Sequence, residues 1–305
     1  RLLLTHPICV LNLLLLIFGA PKMDNVSDLS RPKIDILSLV FSTVGFGGIV
    51  YALATLAEAS ISEAKVWLPL VVGVIALILF ITRQFKMESP MINLRVFKYP
   101  MFALGTVLMF FNLFMILSVA ILIPLYLKSV LGFAALAAGL LMLPGNALNI
   151  VMSPIVGSSF DRVGAKIYTR IGYVLITISA ALFVIVISAT TPVWQIVVLL
   201  MVFFLGISMT IMPAQTNAMN QLPPKMYADG SAAMNTLTQV AGALGTAIAI
   251  TMFTLGQTKY IEKNGAEAPL DFLAYGVHYA FIIVLIIAVL GLIGSFFIKN
   301  SRHSH

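Results

Sequence analysis

Charge is what this sequence has least of: Asp, Glu, Lys and Arg together fill 10% of its 305 positions, against 60% hydrophobic residues, and mean hydropathy is +1.05. Too little polar surface remains to cover a water-soluble fold of this size, so a soluble globular protein is excluded. Cysteine occurs once, as Cys9, which rules out an internal disulfide and fits a small apolar-tolerant position. Histidine is almost as sparse. His6, His278, His303 and His305 form no ligand cluster, although the last two leave a weak tail site or plain solvated residues as alternatives. No metal and no cofactor is expected. The apolar runs also hold no cluster of nucleophiles, acids or metal ligands at membrane depth, so an intramembrane enzyme is not expected either.

What the sequence does have is long apolar runs, at 2–20, 36–57, 67–83, 101–127, 133–157, 167–188, 194–217, 230–256 and 275–298, none with a charge near its middle. A spanning helix needs about 20 mostly apolar residues, and backbone amides in hydrocarbon must bond within their own segment. A transmembrane barrel would instead show alternating segments of roughly ten residues. The expected fold class is therefore all-α, a polytopic membrane protein with about nine transmembrane helices.

The net charge of +7 is explained by where the basic residues lie. The loops after the first, third, fifth and seventh runs, with the C-terminal tail, carry Lys22, Arg31, Lys33, Arg83, Lys86, Arg95, Lys98, Arg162, Lys166, Arg170, Lys225, Lys299 and Arg302. The alternate loops carry only Lys65, Lys128, Lys259 and Lys263. This asymmetry is the signature of membrane orientation rather than of nucleic-acid binding, and it predicts that the rich loops and the C-terminus are cytoplasmic.

Residues 21–35 are the most polar internal stretch and read as a cytoplasmic linker, followed by a close pair of spans at 36–83. The segment 84–100 mixes basic residues with Met87, Met91, Leu94, Val96 and Phe97; an amphipathic interfacial helix and a connecting loop both fit it. The stretch 257–274, with Lys259, Glu262, Lys263, Glu267 and Asp271, reads as a solvated outside loop. Nine spans and a cytoplasmic C-terminus would leave Arg1 outside at the edge of an apolar run, which leads to the expectation that an N-terminal portion is missing. A signal peptide at 1–20 is the rival reading, but Pro21 after Gly19 and Ala20 is a poor cleavage context.

The most informative local pattern runs from Gly157 to Lys166, GSSFDRVGAK. It resembles the loop motif of the major facilitator superfamily, G-x-L-a-D-r-x-G-r-k: Gly157, Asp161, Arg162, Gly164 and Lys166 match, Ser159 stands for Leu, and Ala165 for a basic residue. Glycines permit a tight reversal there, and a carboxylate near a following helix N-terminus suits a gate; an ordinary charged helix cap is the alternative. Around it lie Ala138 to Gly145, Ser153-Pro154, Met212-Pro213-Ala214, Asn220 to Pro223, Asp229 to Ala232 and Thr238 to Ala247. This order is similar to the C-terminal half of the fourteen-helix drug:proton antiporters.

The resemblance implies an incomplete major facilitator fold: 1–20 as the last helix of an N-terminal bundle, 36–83 as an inserted helix pair, 84–100 as a cytoplasmic interfacial segment, 101–298 as a C-terminal six-helix bundle and 299–305 as a tail. It implies a multi-pass protein of the cell membrane, working in the lipid bilayer, with amphipathic small molecules and protons as partners and a proton gradient as energy source. A proton-coupled carrier needs a titratable group inside the membrane. These spans have none, since Asp161 and Asp229 lie at span ends and His278 near the outer end of the last, so the chain alone is expected to be inactive in coupled export of drugs.

Uncharged polar residues remain as a possible substrate path: Asn112, Asn146, Asn149, Gln215, Asn217 and Gln239, with helix-to-helix hydrogen bonds as the alternative for each. Fifteen Met and twenty Phe offer adaptable apolar surface, although most must face lipid or pack. Ala241, Gly245 and Ala249 recur every fourth residue, with Gly242 beside them, and read as a helix-packing seam. Multidrug efflux is the function these features imply. A non-transporting receptor or assembly subunit remains the alternative.

Overall fold

A computed structural model of the chain describes residues 35–56, 63–87, 90 and 93–299, with Asp161 by its backbone alone. The apolar run at 2–20, all but the last residue of the 21–35 linker, and residues 300–305 lie outside the described residues. Among the described residues eight helices are long and apolar enough to cross a membrane. They are α1 (Ile36–Thr55), α2 (Ala64–Lys86), α3 (Pro100–Ser129), α4 (Ala135–Val163), α5 (Ala165–Val186), α6 (Val193–Met219), α7 (Tyr227–Asn264) and α8 (Pro269–Phe296), and they are the helices of the other eight apolar runs. The chain is an all-α polytopic membrane protein.

Two boundaries differ from the sequence reading for the same physical reason. The 38 residues of α7 make a helix roughly 57 Å long, well beyond the roughly 30 Å hydrocarbon core. Its last turns, carrying Lys259, Glu262 and Lys263, therefore leave the apolar layer without leaving the helix, and the expected loop at 257–274 shrinks to 265–268, opened by Gly265 at φ +80°. Helix α4 likewise continues through the charged end of its run to Val163. In the segment 84–100, residues 84–86 complete α2, Pro100 opens α3, and among the described residues between them Leu94–Lys98 form a 3-10 turn.

Helix α3 is the centre of the bundle, packing against α6, α7 and α8, while α4 leans on α6 and α5 lies across α6 and α8. Lipid supplies no hydrophobic drive for helices to associate, so the seams depend on close backbone approach and on hydrogen bonds between helices. Both are visible. A Cβ on Gly245 of α7 would run into the Phe114 carbonyl of α3, with Phe114 Cα and C at 3.0 Å, and Gly172 of α5 faces Gly206 of α6 in the same way. Ala241, Gly242 and Ala249 are buried beside Gly245.

Hydroxyls then cross these seams to backbone carbonyls. Ser118 donates to Gly245 O at 2.9 Å, with Phe114 O of its own helix an alternative acceptor at 2.8 Å. Tyr173 of α5 donates to Leu108 O of α3 and Ser179 of α5 to Leu199 O of α6, each at 2.8 Å. Tyr126 at the end of α3 donates to Ser188 O at 2.5 Å.

Helices α1 and α2 form a pair of their own, tight enough that a Cβ on Gly48 would lie 3.1 Å from Gly73 Cα. The pair rests on α7 through α1, where Thr251 donates to Leu53 O at 2.9 Å. At the other end Arg83 holds Asp35 with Nε to Oδ2 at 2.6 Å and Nη2 to Oδ1 at 3.1 Å, and Ser38 adds a 2.6 Å bond to the same carboxylate. The Arg83 bonds, then that of Ser38, bring the Asp35 pKa down to about 2. Asp35 is thus a fixed anion at neutral pH and a clamp on the pair, not a proton carrier.

The Gly245 seam yields a direct test. Gly245→Ala, and more so Gly245→Leu, is expected to destabilise the folded chain by at least the roughly 1–3 kcal/mol typical of overpacking, because the obstacle is backbone. Gly47→Ala, which meets nothing within 4 Å, serves as the control. Thermal unfolding in detergent reads the difference; an unchanged midpoint for Gly245→Leu would mean that this position faces lipid.

Candidate functional site

The motif at the α4–α5 junction is a helix, one residue, and a helix rather than an open loop. Gly157 lies inside α4, and the reversal is made by Gly164 alone, at φ +83° and ψ 157°, with its N–H donating to Phe160 O at 2.8 Å. That backbone region is essentially restricted to glycine. A Cβ at Gly157, by contrast, would meet only the flexible end of Met212, at 2.9 Å from Sδ. The two motif glycines therefore answer to different demands. Arg162 and Lys166 are exposed. The backbone puts Asp161 in the last turn of α4, where that helix presents the carbonyl end of its dipole, not in the first turn of the following helix.

Side-chain contacts that the sequence reading did not foresee tie helix ends together on this side of the bundle. Ser159, at the position where the motif has Leu, shares a 2.5 Å hydrogen bond with Tyr168 at the start of α5. Arg170 donates to Phe296 O at 2.9 Å and lies over the Phe296 ring at 5.0 Å, joining the start of α5 to the end of α8. Asn217 at the end of α6 donates to Lys299 O at 3.1 Å.

The six amides singled out from the sequence separate into three environments. Asn112 is buried: its Oδ1 accepts from Thr210 of α6 at 2.9 Å, and its Nδ2 has no partner. Asn217 is also buried, with the bond to Lys299 just described. Asn146 and Asn149 are half-buried on α4 and bond within their own helix: Asn146 Nδ2 donates to Met142 O at 3.1 Å, and Asn149 Oδ1 accepts from the Ser153 hydroxyl at 3.1 Å. Gln215 on α6 and Gln239 on α7 are exposed.

Exposure of an amide inside a spanning helix has physical content, because an unpaired amide in hydrocarbon costs several kcal/mol, roughly. Gln239 does not stand alone. Ser231, Asn235 and Gln239 are exposed at four-residue spacing, one stripe on α7, with Asn235 reaching Ser231 at 3.4 Å. On α5 the exposed stripe, at steps of three and four residues, is wholly aliphatic: Ile167, Ile171, Val174, Ile178, Leu182 and Ile185. The exposed side chains in the middle of α8, Ile286, Val289, Leu290 and Ile293, are aliphatic too. Helices α5 and α8 thus present lipid-compatible faces, whereas α7 presents a polar stripe over residues 231–239 and α6 a single exposed amide, Gln215, with Met212 exposed three residues before it.

Carboxylates sit only at helix ends or in turns among the described residues. Asp229, in the first turn of α7, accepts from the Asn93 N–H at 3.4 Å. Asp271, in the first turn of α8, lines a cavity of about 250 Å³ with Tyr260 and His278, and the His278 ring stacks on Tyr275 at 5.6 Å. No group of His, Cys, Asp and Glu able to hold a metal occurs among the described residues.

The family profile of the Major Facilitator Superfamily matches residues 35–246, more than two thirds of the sequence. The chain belongs to the major facilitator superfamily. Members of similar sequence include the "Lincomycin resistance protein LmrB" of Listeria monocytogenes, 48% identical over 94% of this chain and 61% of its own length. The protein of the same name from Bacillus subtilis is 46% identical over 96% of this chain and 62% of its own length. The "Multidrug export protein EmrB" of Escherichia coli is 24% identical over 73% of this chain and 44% of its own. The chain thus spans about three fifths of the length of the lincomycin resistance proteins it matches. Membership in this superfamily accords with a membrane protein that is not an enzyme.

For this superfamily motif the backbone makes a specific demand. Gly164→Ala is expected to lower stability by roughly 1–3 kcal/mol, while Gly157→Ala, opposed only by a methionine side chain, should cost well under half as much. Thermal unfolding of the two variants in the same detergent distinguishes them; equal losses would contradict the one-residue reversal.

Proposed function

We propose that this chain carries the C-terminal part of a proton-coupled exporter of amphipathic drugs, of the fourteen-helix drug:proton antiporter type. In this reading α3–α8 form one six-helix half of the carrier, α1 and α2 are a pair inserted between halves, and the basic loops and C-terminus face the cytoplasm. The observation that carries it is the polar stripe on α7 and the exposed Gln215 of α6, set against the aliphatic stripes of α5 and α8. Kinship to lincomycin resistance proteins over 94–96% of the chain supports the choice of cargo and makes lincomycin the first compound to test.

Alternating access requires two bundles moving about a shared site, with each ligand distinguishing the two states. The described residues contain one six-helix bundle, and their spans hold no carboxylate in mid-membrane. Proton coupling is accordingly assigned to segments other than these. Gly157, Asp161, Arg162, Gly164 and Lys166 act as a gate at the cytoplasmic end of α4, with Asp161 and Arg162 biasing one state over the other. Gln215, Gln239, Asn146 and Asn149 line the path, while Asn112 and Asn217 hold helices together.

Two measurements test this. The purified chain in liposomes under an imposed pH gradient should accumulate no lincomycin, whereas a chimera preceded by the N-terminal portion of the Bacillus subtilis relative should export it from cells. In the chimera Asp161→Asn should cut transport about tenfold or more, a loss of at least about 1.4 kcal/mol in transition-state stabilisation, with membrane insertion unchanged. Near-normal transport by that variant would remove the gate assignment; gradient-driven accumulation by the chain alone would overturn the location given to coupling.

A further inference from the structure

The 3-10 turn Leu94–Lys98, LRVFK, sorts its side chains by a period of three. Val96 is buried, Leu94 and Phe97 are half-buried on one edge, and Arg95 and Lys98 are exposed on another. Each outer edge borders a cavity. Arg95 and Lys98 face one of about 460 Å³, completed by Asn93, Tyr99, Lys225, Met226 and Asp229. Leu94 and Phe97 face another of about 360 Å³.

The second cavity is apolar throughout. Phe46 of α1, with Leu77, Phe80 and Phe85 of α2, forms one wall, and Ala233 and Leu237 of α7 form the other. Its one hydroxyl, that of Thr236, is turned onto Ala232 O at 2.8 Å. Asp229, Ala233 and Leu237 succeed one another at four-residue steps along α7, so the two cavities follow a single helix face, the apolar one extending to roughly 12 Å deeper than Asp229. The outer cavity carries three cationic side chains and one carboxylate. The ion pairs recorded among the described residues, Lys65 with Glu63 and Arg83 with Asp35, do not involve those three cations.

We infer that these two cavities form one binding site for an anionic phospholipid, its phosphate and headgroup held by Arg95, Lys98 and Lys225 and an acyl chain laid into the groove between the α1–α2 pair and α7. The charge pattern selects the headgroup: basic pockets between spanning helices attract anionic lipid. The depth selects a lipid rather than a soluble phosphate, because the apolar groove needs a hydrocarbon tail to fill it. A lipid there would serve as a filler between α2 and α7, which the 94–98 turn bridges at this end. The site lies apart from the α4–α5 motif and from the stripe carrying Gln239, and it stands whether or not the transport proposal does.

Native mass spectrometry of the purified chain with phosphatidylglycerol or phosphatidylcholine of identical tails tests the site. The parent should retain phosphatidylglycerol in preference, and a short-tailed phosphatidylglycerol should be retained less well. Arg95→Gln, Lys98→Gln and Lys225→Gln together should weaken phosphatidylglycerol retention about tenfold or more and leave phosphatidylcholine unchanged. Neutralising Lys65, Lys128 and Lys263 removes the same charge at the opposite helix ends and should change nothing. Equal retention of the two lipids by the parent, an unaltered preference in the triple variant, or indifference to tail length would each overturn the inference. All three substituted side chains are solvent-exposed, and retained helicity in the triple variant keeps its lipid readout decisive.

Discussion

Everything in this molecule follows from the cost of leaving a peptide group unpaired in hydrocarbon. That cost makes each apolar run a helix and leaves the helices with no hydrophobic reason to adhere to one another. Association then depends on removing side chains where backbones meet and on sending hydroxyls across the gap. Gly245 against Phe114, Gly172 against Gly206, and the bonds from Ser118, Tyr173 and Ser179 to carbonyls of neighbouring helices are those two devices. Each hydroxyl donates to a carbonyl already engaged in its own helix, using the second lone pair, so a seam gains a bond without breaking a turn.

The same cost gives meaning to what is exposed. An aliphatic stripe such as Ile171, Val174 and Ile178 is at ease in lipid, whereas Gln239 and Asn235 are not. Polar exposure within a span marks contact with water or with another polar surface. It falls on α7 over residues 231–239 and, as the single amide Gln215, on α6, and this is the surface on which the proposed transport role rests. The fixed charges lie elsewhere. Asp35 is locked by Arg83, and Asp229 and Asp271 sit in first turns, where helix dipoles favour the anion.

The sequence made the spans legible because twenty-odd apolar residues have one reading in this setting, and the ordered motifs around Asp161 pointed to the superfamily to which the chain belongs. It was less informative about ends. Lys259, Glu262 and Lys263 looked like a loop because charge signals water, but a helix can enter water without unwinding, and only Gly265 stops it. The motif at 157–166 looked like a loop for the same reason, although Gly164 alone makes the turn. Nor did the sequence separate Asn112 and Asn217 from Gln215 and Gln239. Helices that are apolar all round carry little amphipathic signal, so the face of an amide is set by neighbours far away in sequence, such as Thr210 for Asn112 and Lys299 for Asn217. The Leu94–Lys98 turn was readable only as a mixed segment, since its period of three appears once the backbone is known to be 3-10.

The central claim is that the exposed amides of α6 and α7 face water rather than lipid, and thiol labelling in lipid nanodiscs tests it most directly. With Cys9 replaced by Ser, single cysteines at Gln215, Gln239, Ile178 and Ile286 would be exposed to a membrane-impermeant maleimide. Gln215→Cys and Gln239→Cys should be modified rapidly, while Ile178→Cys and Ile286→Cys on the aliphatic faces should be protected. If Gln239→Cys reacts as slowly as Ile178→Cys, the polar stripe lies in hydrocarbon and the account of this surface is wrong.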